Sequence, residues 1–144
     1  MFKELVENNR YCFYDGFDNW QDAIKASVTP LINEGIATEE YTQAIIESVN
    51  NNGPYIVIAP NICIPHAQEG KGVNDTAISF MKTNKPVKFS DSEEHDAQLF
   101  FVLASTDNAK HLNNLAQLVE FLGDEETVQK LLASTCGQDL QNLI

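Results

Sequence analysis

Gly53-Pro54-Tyr55-Ile56-Val57-Ile58-Ala59-Pro60-Asn61-Ile62-Cys63-Ile64-Pro65-His66-Ala67 holds two short apolar runs and delivers a histidine at its end. Residues 55–59 are the first run, Pro60-Asn61 break it, and residues 62–64 are the second. Proline cannot donate within a ladder, so the two runs read as separate short strands bounded by Pro60 and Pro65. Working outward, residues 76–81, 87–89 and 97–104 read as further strands, and residues 10–14, ending at Asp15-Gly16, as one upstream. The run 97–104 has almost no polar alternation, as a central strand covered on both faces should. Helical spacing flanks this middle. Trp20, Ala23, Ile24, Ser27, Val28, Leu31 and Ile32 mark one helix, with Asp18 expected as its N-cap and Gln21 as the capping-box partner. Gly35 stops it, and Pro30 should kink or split it. Thr38 is expected to cap a second helix with apolar face Tyr41, Ala44, Ile45 and Val49, ending at Asn50-Asn51-Asn52-Gly53-Pro54. Leu112, Leu115, Leu118, Val119 and Leu122 mark a third, stopped by Gly123. Asp124 caps a fourth through Val128, Leu131 and Leu132, and Leu140, Leu143 and Ile144 mark a short last one. Helices, clustered strands and helices again predict an α/β fold, a mixed β-sheet of about five strands sandwiched between helices.

The chain has 144 residues, 43% of them hydrophobic, which suits one domain spanning 1–144 with a real core. Acids outnumber bases 21 to 9, for a formal charge of −12 and a pI near 4.4. Nucleic acid and anionic membranes are therefore poor partners, since both are bound by clustered Lys and Arg. No apolar run approaches the roughly 18–20 residues of a membrane span. The acidic start Met-Phe-Lys-Glu-Leu-Val-Glu does not read as a signal peptide. The expectation is a soluble, cytoplasmic protein. Acids exceed bases by 9 to 3 over residues 1–50, by 6 to 4 over 51–100 and by 6 to 2 over 101–144, so the middle is least acidic. Cys12, Cys63 and Cys136 form no CxxC pair and read as mostly buried small hydrophobes. Arg10 is the only arginine.

The histidines are His66, His95 and His111. His95 falls in the acidic stretch Ser90-Asp91-Ser92-Glu93-Glu94-His95-Asp96 and reads as a solvated loop residue. His66 stands just past a buried strand, where ligand sites form in sheet proteins. Gly70 and Gly72 follow it, where main-chain N–H groups could approach an anion. His111 follows the long buried strand and its loop, so the two histidines share a cleft if their strand ends lie side by side; two unrelated surface histidines is the competing reading. No third ligand suggests zinc, and neither a GxSxG elbow nor a Walker A or GxGxxG loop is present. An imidazole can itself be a nucleophile that takes and passes on a phosphoryl group.

The ordered set of these features resembles the enzyme IIA components of the bacterial phosphoenolpyruvate-dependent sugar phosphotransferase system. It is closest to the mannitol/fructose (type 2) superfamily, with the Gly-Pro-Tyr…Ile-Ala-Pro stretch similar to the ascorbate/galactitol-like branch. The Trp20-centred helix, Gly72-Val73, Lys85-Pro86-Val87-Lys88-Phe89, the Phe100 to Ala104 strand, Asp107…His111-x-x-x-Leu115 and Leu-Val-Glu-Phe-Leu-Gly-Asp-Glu-Glu agree as well. The resemblance implies a mixed sheet between helices and a phosphohistidine relay without cofactor or metal. His66 would accept phosphate from the histidine phosphocarrier protein and pass it to a cysteine of a cognate IIB component, which serves a membrane IIC permease. His111 would be the supporting histidine, its N–H and the backbone N–H groups after His66 binding the phosphoryl oxygens. A regulatory module switched by the same phosphorylation is the alternative it leaves open. One departure stands out. Mannitol-type relatives carry an arginine upstream of Pro-His, where this chain reads Glu47-Ser48-Val49-Asn50-Asn51-Asn52. Lys71, Lys110, Asn51 and Asn52 are candidates to replace it, and Asp107 to steer the His111 tautomer or to cap the next helix.

Overall fold

The computed structural model describes residues 1–68 and 71–144. Its strands are β1 (Tyr11–Tyr14), β2 (Val57–Ala59), β3 (Asn61–Cys63), β4 (Ala77–Lys88) and β5 (Asp96–Ala104). Its helices are α1 (Phe2–Glu7), α2 (Trp20–Asn33), α3 (Glu39–Asn52), α4 (Asn108–Leu122), α5 (Glu125–Ala133) and α6 (Gly137–Gln141). The strands form one mixed sheet in the order β1-β4-β5-β3-β2, so the expected α/β sandwich is present. β4 and β5 are antiparallel at the centre; β1 runs parallel to β4, and β3 parallel to β5.

The absent alternation in β5 has the expected cause. Phe100, Val102 and Ala104 point into one buried cluster with Ala23, Ile24, Val28 and Leu31 of α2 and Tyr41, Ile45 and Val49 of α3. Leu99, Phe101 and Leu103 point into the other, with Leu5 of α1, Leu118 of α4, Leu131 of α5 and Leu140 of α6. Successive strand residues face opposite ways, so a strand covered on both sides is apolar throughout.

Several local expectations change. Residues 76–81 and 87–89 are not two strands. Residues 77–81 and 87–88 belong to the single strand β4, which bulges out of register with β5 between Lys82 and Val87 and so carries Pro86. Helix α2 is not split at Pro30. Pro30 lies in its last turn, and the Ala26 carbonyl that would accept the missing N–H instead faces the Cys12 thiol, with Sγ 3.8 Å away. Asn19 rather than Asp18 caps α2, its Oδ1 accepting the Asp22 N–H at 2.8 Å. Thr38 stands at the N-cap of α3, but its hydroxyl donates to the Gly72 carbonyl, 3.1 Å away. Helix α1 is an addition to the expected elements: only six residues long, it is fastened by Phe2, Leu5 and Val6 rather than by length. On α4, Leu118 and Leu122 are buried, whereas Leu112 and Val119 are 59% and 50% exposed. Cys63 is buried and Cys12 partly so, but Cys136 is exposed.

Two of these elements place the site. Because β3 and β5 are parallel neighbours, their C-terminal ends lie side by side. The Leu103 N–H extends the pairing by donating to the Pro65 carbonyl at 3.0 Å, and the Ile64 N–H donates to Ile56 at 2.8 Å. His66 follows at once.

Candidate functional site

β3 hands over to Pro65-His66, and β5 to a loop in which Asp107 caps α4, its Oδ1 accepting the Lys110 N–H at 2.7 Å. His111 stands one turn into α4. The geometry brings the two histidines together, with ring centroids 5.6 Å apart and planes inclined at 47°. They line an open cleft of about 690 Å³ with Ser48 and Asn52 from the last turns of α3, Tyr55, the Ala67-Gln68 loop and Asn108 of α4.

The imidazole of His66 has a defined proton arrangement. Nδ1 lies 2.6 Å from the Ile64 carbonyl oxygen. A carbonyl only accepts, so Nδ1 carries the proton and Nε2 keeps its lone pair. Burial lowers the pKa of His66; the Ile64 hydrogen bond opposes this, and the neighbouring His111 adds to the lowering. The ring is therefore neutral near pH 7, a nucleophile rather than a cation.

Tyrosines secure the backbone around it. The buried Tyr41 hydroxyl donates to the Leu103 carbonyl and accepts the Ala67 N–H at 3.3 Å. Tyr55 donates from its hydroxyl to the His66 carbonyl at 2.7 Å, with its ring edge-on to the imidazole at 5.4 Å and 86°. The Ala67 N–H, the first backbone donor after His66, is thus engaged by Tyr41. Gly72 does not face the cleft: with φ +74°, it gives its carbonyl to Thr38, and a Cβ there would lie 2.5 Å from the Tyr41 nitrogen. Gly70 lies outside the described residues.

The candidates for the missing arginine sort clearly. Asn52 lines the cleft and Asn51 does not; neither Lys71 nor Lys110 is among the described lining residues. The Lys110 ammonium sits 3.8 Å from Asp107. Asp107 spends its carboxylate on the helix cap, not on the His111 ring. Arg10 forks onto Glu34 at 2.7 and 3.2 Å, outside the cleft. His95 lies in a short 3-10 turn, hydrogen-bonded to Ser90 at 2.7 Å. Among the described residues no group of three or more His, Cys, Asp or Glu is arranged to hold a metal ion, and no helix is long and apolar enough to cross a membrane. Tyr55, Ser48 and Tyr41 were not expected in the site. Tyr55 does stand in the Gly-Pro-Tyr stretch, and Ser48 and Asn52 are four apart on the helix that ends beside it.

A mixed sheet sandwiched by helices, opening at the C-terminal ends of two parallel strands onto paired imidazoles, defines an α/β protein with a histidine-centred surface site. Residues 4–144 match the model of the family described as phosphoenolpyruvate-dependent sugar phosphotransferase system, EIIA 2, and the chain belongs to that family. It is a component of a phosphotransferase system, a class that carries phosphate on histidine. It is 30% identical over 141 residues to the ascorbate-specific PTS system EIIA component of Escherichia coli K12, covering 97% of this chain and 92% of that one. The solution structure of the mannitol-specific cryptic phosphotransferase enzyme IIA CmtB from Escherichia coli superposes with a TM-score of 0.86 at 29% identity, covering 98% of this chain and 95% of that one. The Escherichia coli complex of enzyme IIAMTL with phosphorylated enzyme IIBMTL shares the fold at 20% identity, with a TM-score of 0.80 over 93% of this chain and 92% of that one.

Proposed function

We propose that His66 is the phosphoryl acceptor and that this chain relays phosphate, in the cytoplasm, from the histidine phosphocarrier protein to a cysteine of a cognate IIB component. A membrane IIC permease is the indirect beneficiary. The observation that carries the reading is the Nδ1–Ile64 hydrogen bond, which leaves Nε2 as the open nucleophile in the cleft.

The chemistry follows from that bond. Nε2 donates its lone pair to phosphorus as the P–N bond of the donor phosphohistidine breaks, and that electron pair returns to the donor's ring. Nδ1 keeps its proton throughout. The ring becomes a cation, stabilised by the Ile64 carbonyl on one side and by the phosphoryl charge on the other. In the second step a IIB thiolate attacks phosphorus, the P–Nε2 bond breaks, and the pair returns to Nε2. A loose transition state leaves the protein chiefly positioning and charge stabilisation to supply. His111 supports the step from 5.6 Å away. With no Lys or Arg in the described lining, the phosphoryl oxygens meet neutral donors, Asn52 and Asn108 among them.

The ascorbate-specific relative favours ascorbate as the sugar served. The test supplies phosphoenolpyruvate, enzyme I and phosphocarrier, then offers purified ascorbate-type and mannitol-type IIB proteins. The expected result is one phosphate per chain, none on H66A, and fastest transfer to the ascorbate-type IIB. Stoichiometric phosphate on H66A overturns the acceptor assignment. Transfer to the mannitol-type IIB alone overturns ascorbate, and acceptance without transfer to any IIB returns the chain to a regulatory role.

A further inference from the structure

We propose that Tyr55, backed by Ser48, is a positioning residue that holds His66 in its reactive orientation; this rests on the reading of His66 as phosphoryl acceptor. The hydroxyl of Tyr55 lies 2.7 Å from the His66 carbonyl oxygen and 3.0 Å from Ser48 Oγ. The carbonyl can only accept, so Tyr55 spends its single proton there. Ser48 must then donate to the tyrosine oxygen, and the Asn52 amide donates to Ser48 Oγ at 3.4 Å. Every proton in this chain of hydrogen bonds therefore points from the end of α3 toward the backbone of His66.

The same tyrosine constrains the side chain. Its ring stands edge-on to the imidazole, 5.4 Å between centroids at 86°, an attractive arrangement for two aromatic rings. Tyr55 is 39% exposed, so the burial of an ordinary core residue does not account for its placement. His66 is thus held at its main chain by the hydroxyl and at its ring by the perpendicular contact with the tyrosine ring. Its tautomer is set by the Ile64 carbonyl, a bond the imidazole keeps only while the tyrosine holds it in this orientation. In a transfer that depends on in-line approach to Nε2, loss of orientation appears directly in the rate.

The experiment compares the full chain with Y55F, Y55L and S48A. Single-turnover transfer from phosphorylated phosphocarrier gives the maximal rate and the half-saturating carrier concentration. Nitrogen-15 shifts of the His66 ring, recorded before phosphorylation, give the tautomer. Y55F keeps the ring and loses the hydroxyl, and its maximal rate is expected to fall roughly fivefold, the worth of one hydrogen bond. Y55L loses both contacts and should fall about thirtyfold, with a smaller share of the Nδ1–H tautomer, which Y55F restores. S48A leaves the bond to His66 in place and falls less than Y55F. The half-saturating concentration stays constant in all three. A wild-type rate in Y55F overturns the proposal, as do unchanged ring shifts in Y55L. A loss that comes entirely from weaker carrier binding also overturns it, making Tyr55 a docking residue. Should Y55L fail to fold, the rates of Y55F and S48A still decide between these outcomes. The ring shifts are read without phosphate, so phosphate recovered away from His66 refutes the proposed function separately.

Discussion

Replacing Tyr41 with Phe removes one oxygen from a side chain that is 1% exposed and leaves its ring packed. That oxygen holds the Leu103 carbonyl at the end of β5 and the Ala67 N–H next to His66. A net hydrogen bond contributes about 1 kcal/mol, and a buried polar group left without a partner costs a further 1–3 or so. The upper end does not apply here. A carbonyl has a second lone pair, and Ala67 is half-buried beside an open cleft where water can replace the hydroxyl. The expected destabilisation of Y41F is therefore about 1–2 kcal/mol, or a melting point lower by roughly 3–6 °C for a domain of this size. Urea unfolding gives the number, with a shifted midpoint and an unchanged slope. Amide exchange at Ala67 should accelerate more than exchange in the centre of β5. Stability within about 0.3 kcal/mol of wild type, with Ala67 exchange unchanged, would show that Tyr41 does not tie the two strand ends together.

Three further outcomes are expected. Gly72→Ala places a Cβ 2.5 Å from the Tyr41 nitrogen at φ +74° and should cost about 3 kcal/mol; a urea midpoint close to wild type contradicts the close packing of that loop on α3. H111A should still accept phosphate but pass it to IIB about tenfold more slowly, a barrier change of about 1.4 kcal/mol; stopped-flow transfer at the wild-type rate rules out the supporting role. Burial, with His111 adding to it, holds the His66 pKa below its ordinary 6.5 in the folded state. The unfolded chain therefore takes up this proton first as pH falls. The stability tied to neutral His66 is full above about pH 6.5 and is lost as pH drops toward the folded midpoint. The rate of phosphate acceptance falls as pH drops through the folded midpoint, and an NMR titration midpoint of His66 at or above 6.5 would contradict it.

The parts of the fold that the sequence made legible are those where one physical demand dominates. An unalternating run at 97–104 has only one comfortable place, the centre of a sheet covered twice, and that is where β5 lies. His66 was legible because Pro65 ends a buried strand immediately before it. Its nearness to His111 depends on the parallel pairing of β3 with β5, which no local pattern encodes. The continuity of β4 was not legible because its bulge between Lys82 and Val87 looks, in sequence, like a turn between two strands. The Ala26 carbonyl freed by Pro30 in α2 meets the Cys12 thiol of β1, a tertiary contact that no local pattern encodes. Tyr41 and Tyr55 were hidden for a similar reason. Helical spacing reads Tyr41 as core, which it is, but the hydroxyl's use at Ala67 requires residues 26 apart in sequence to meet.

The proposed chemistry puts the phosphate on Nε2 of His66, freed by the Nδ1 bond to Ile64. Phosphorus-31 and nitrogen-15 NMR on the chain phosphorylated by phosphoenolpyruvate, enzyme I and phosphocarrier tests it most directly. One phosphorus coupled to Nε2 of His66, with Nδ1 still protonated, is the expected result. Coupling to Nδ1, or phosphate on His111 or any other residue, would contradict it.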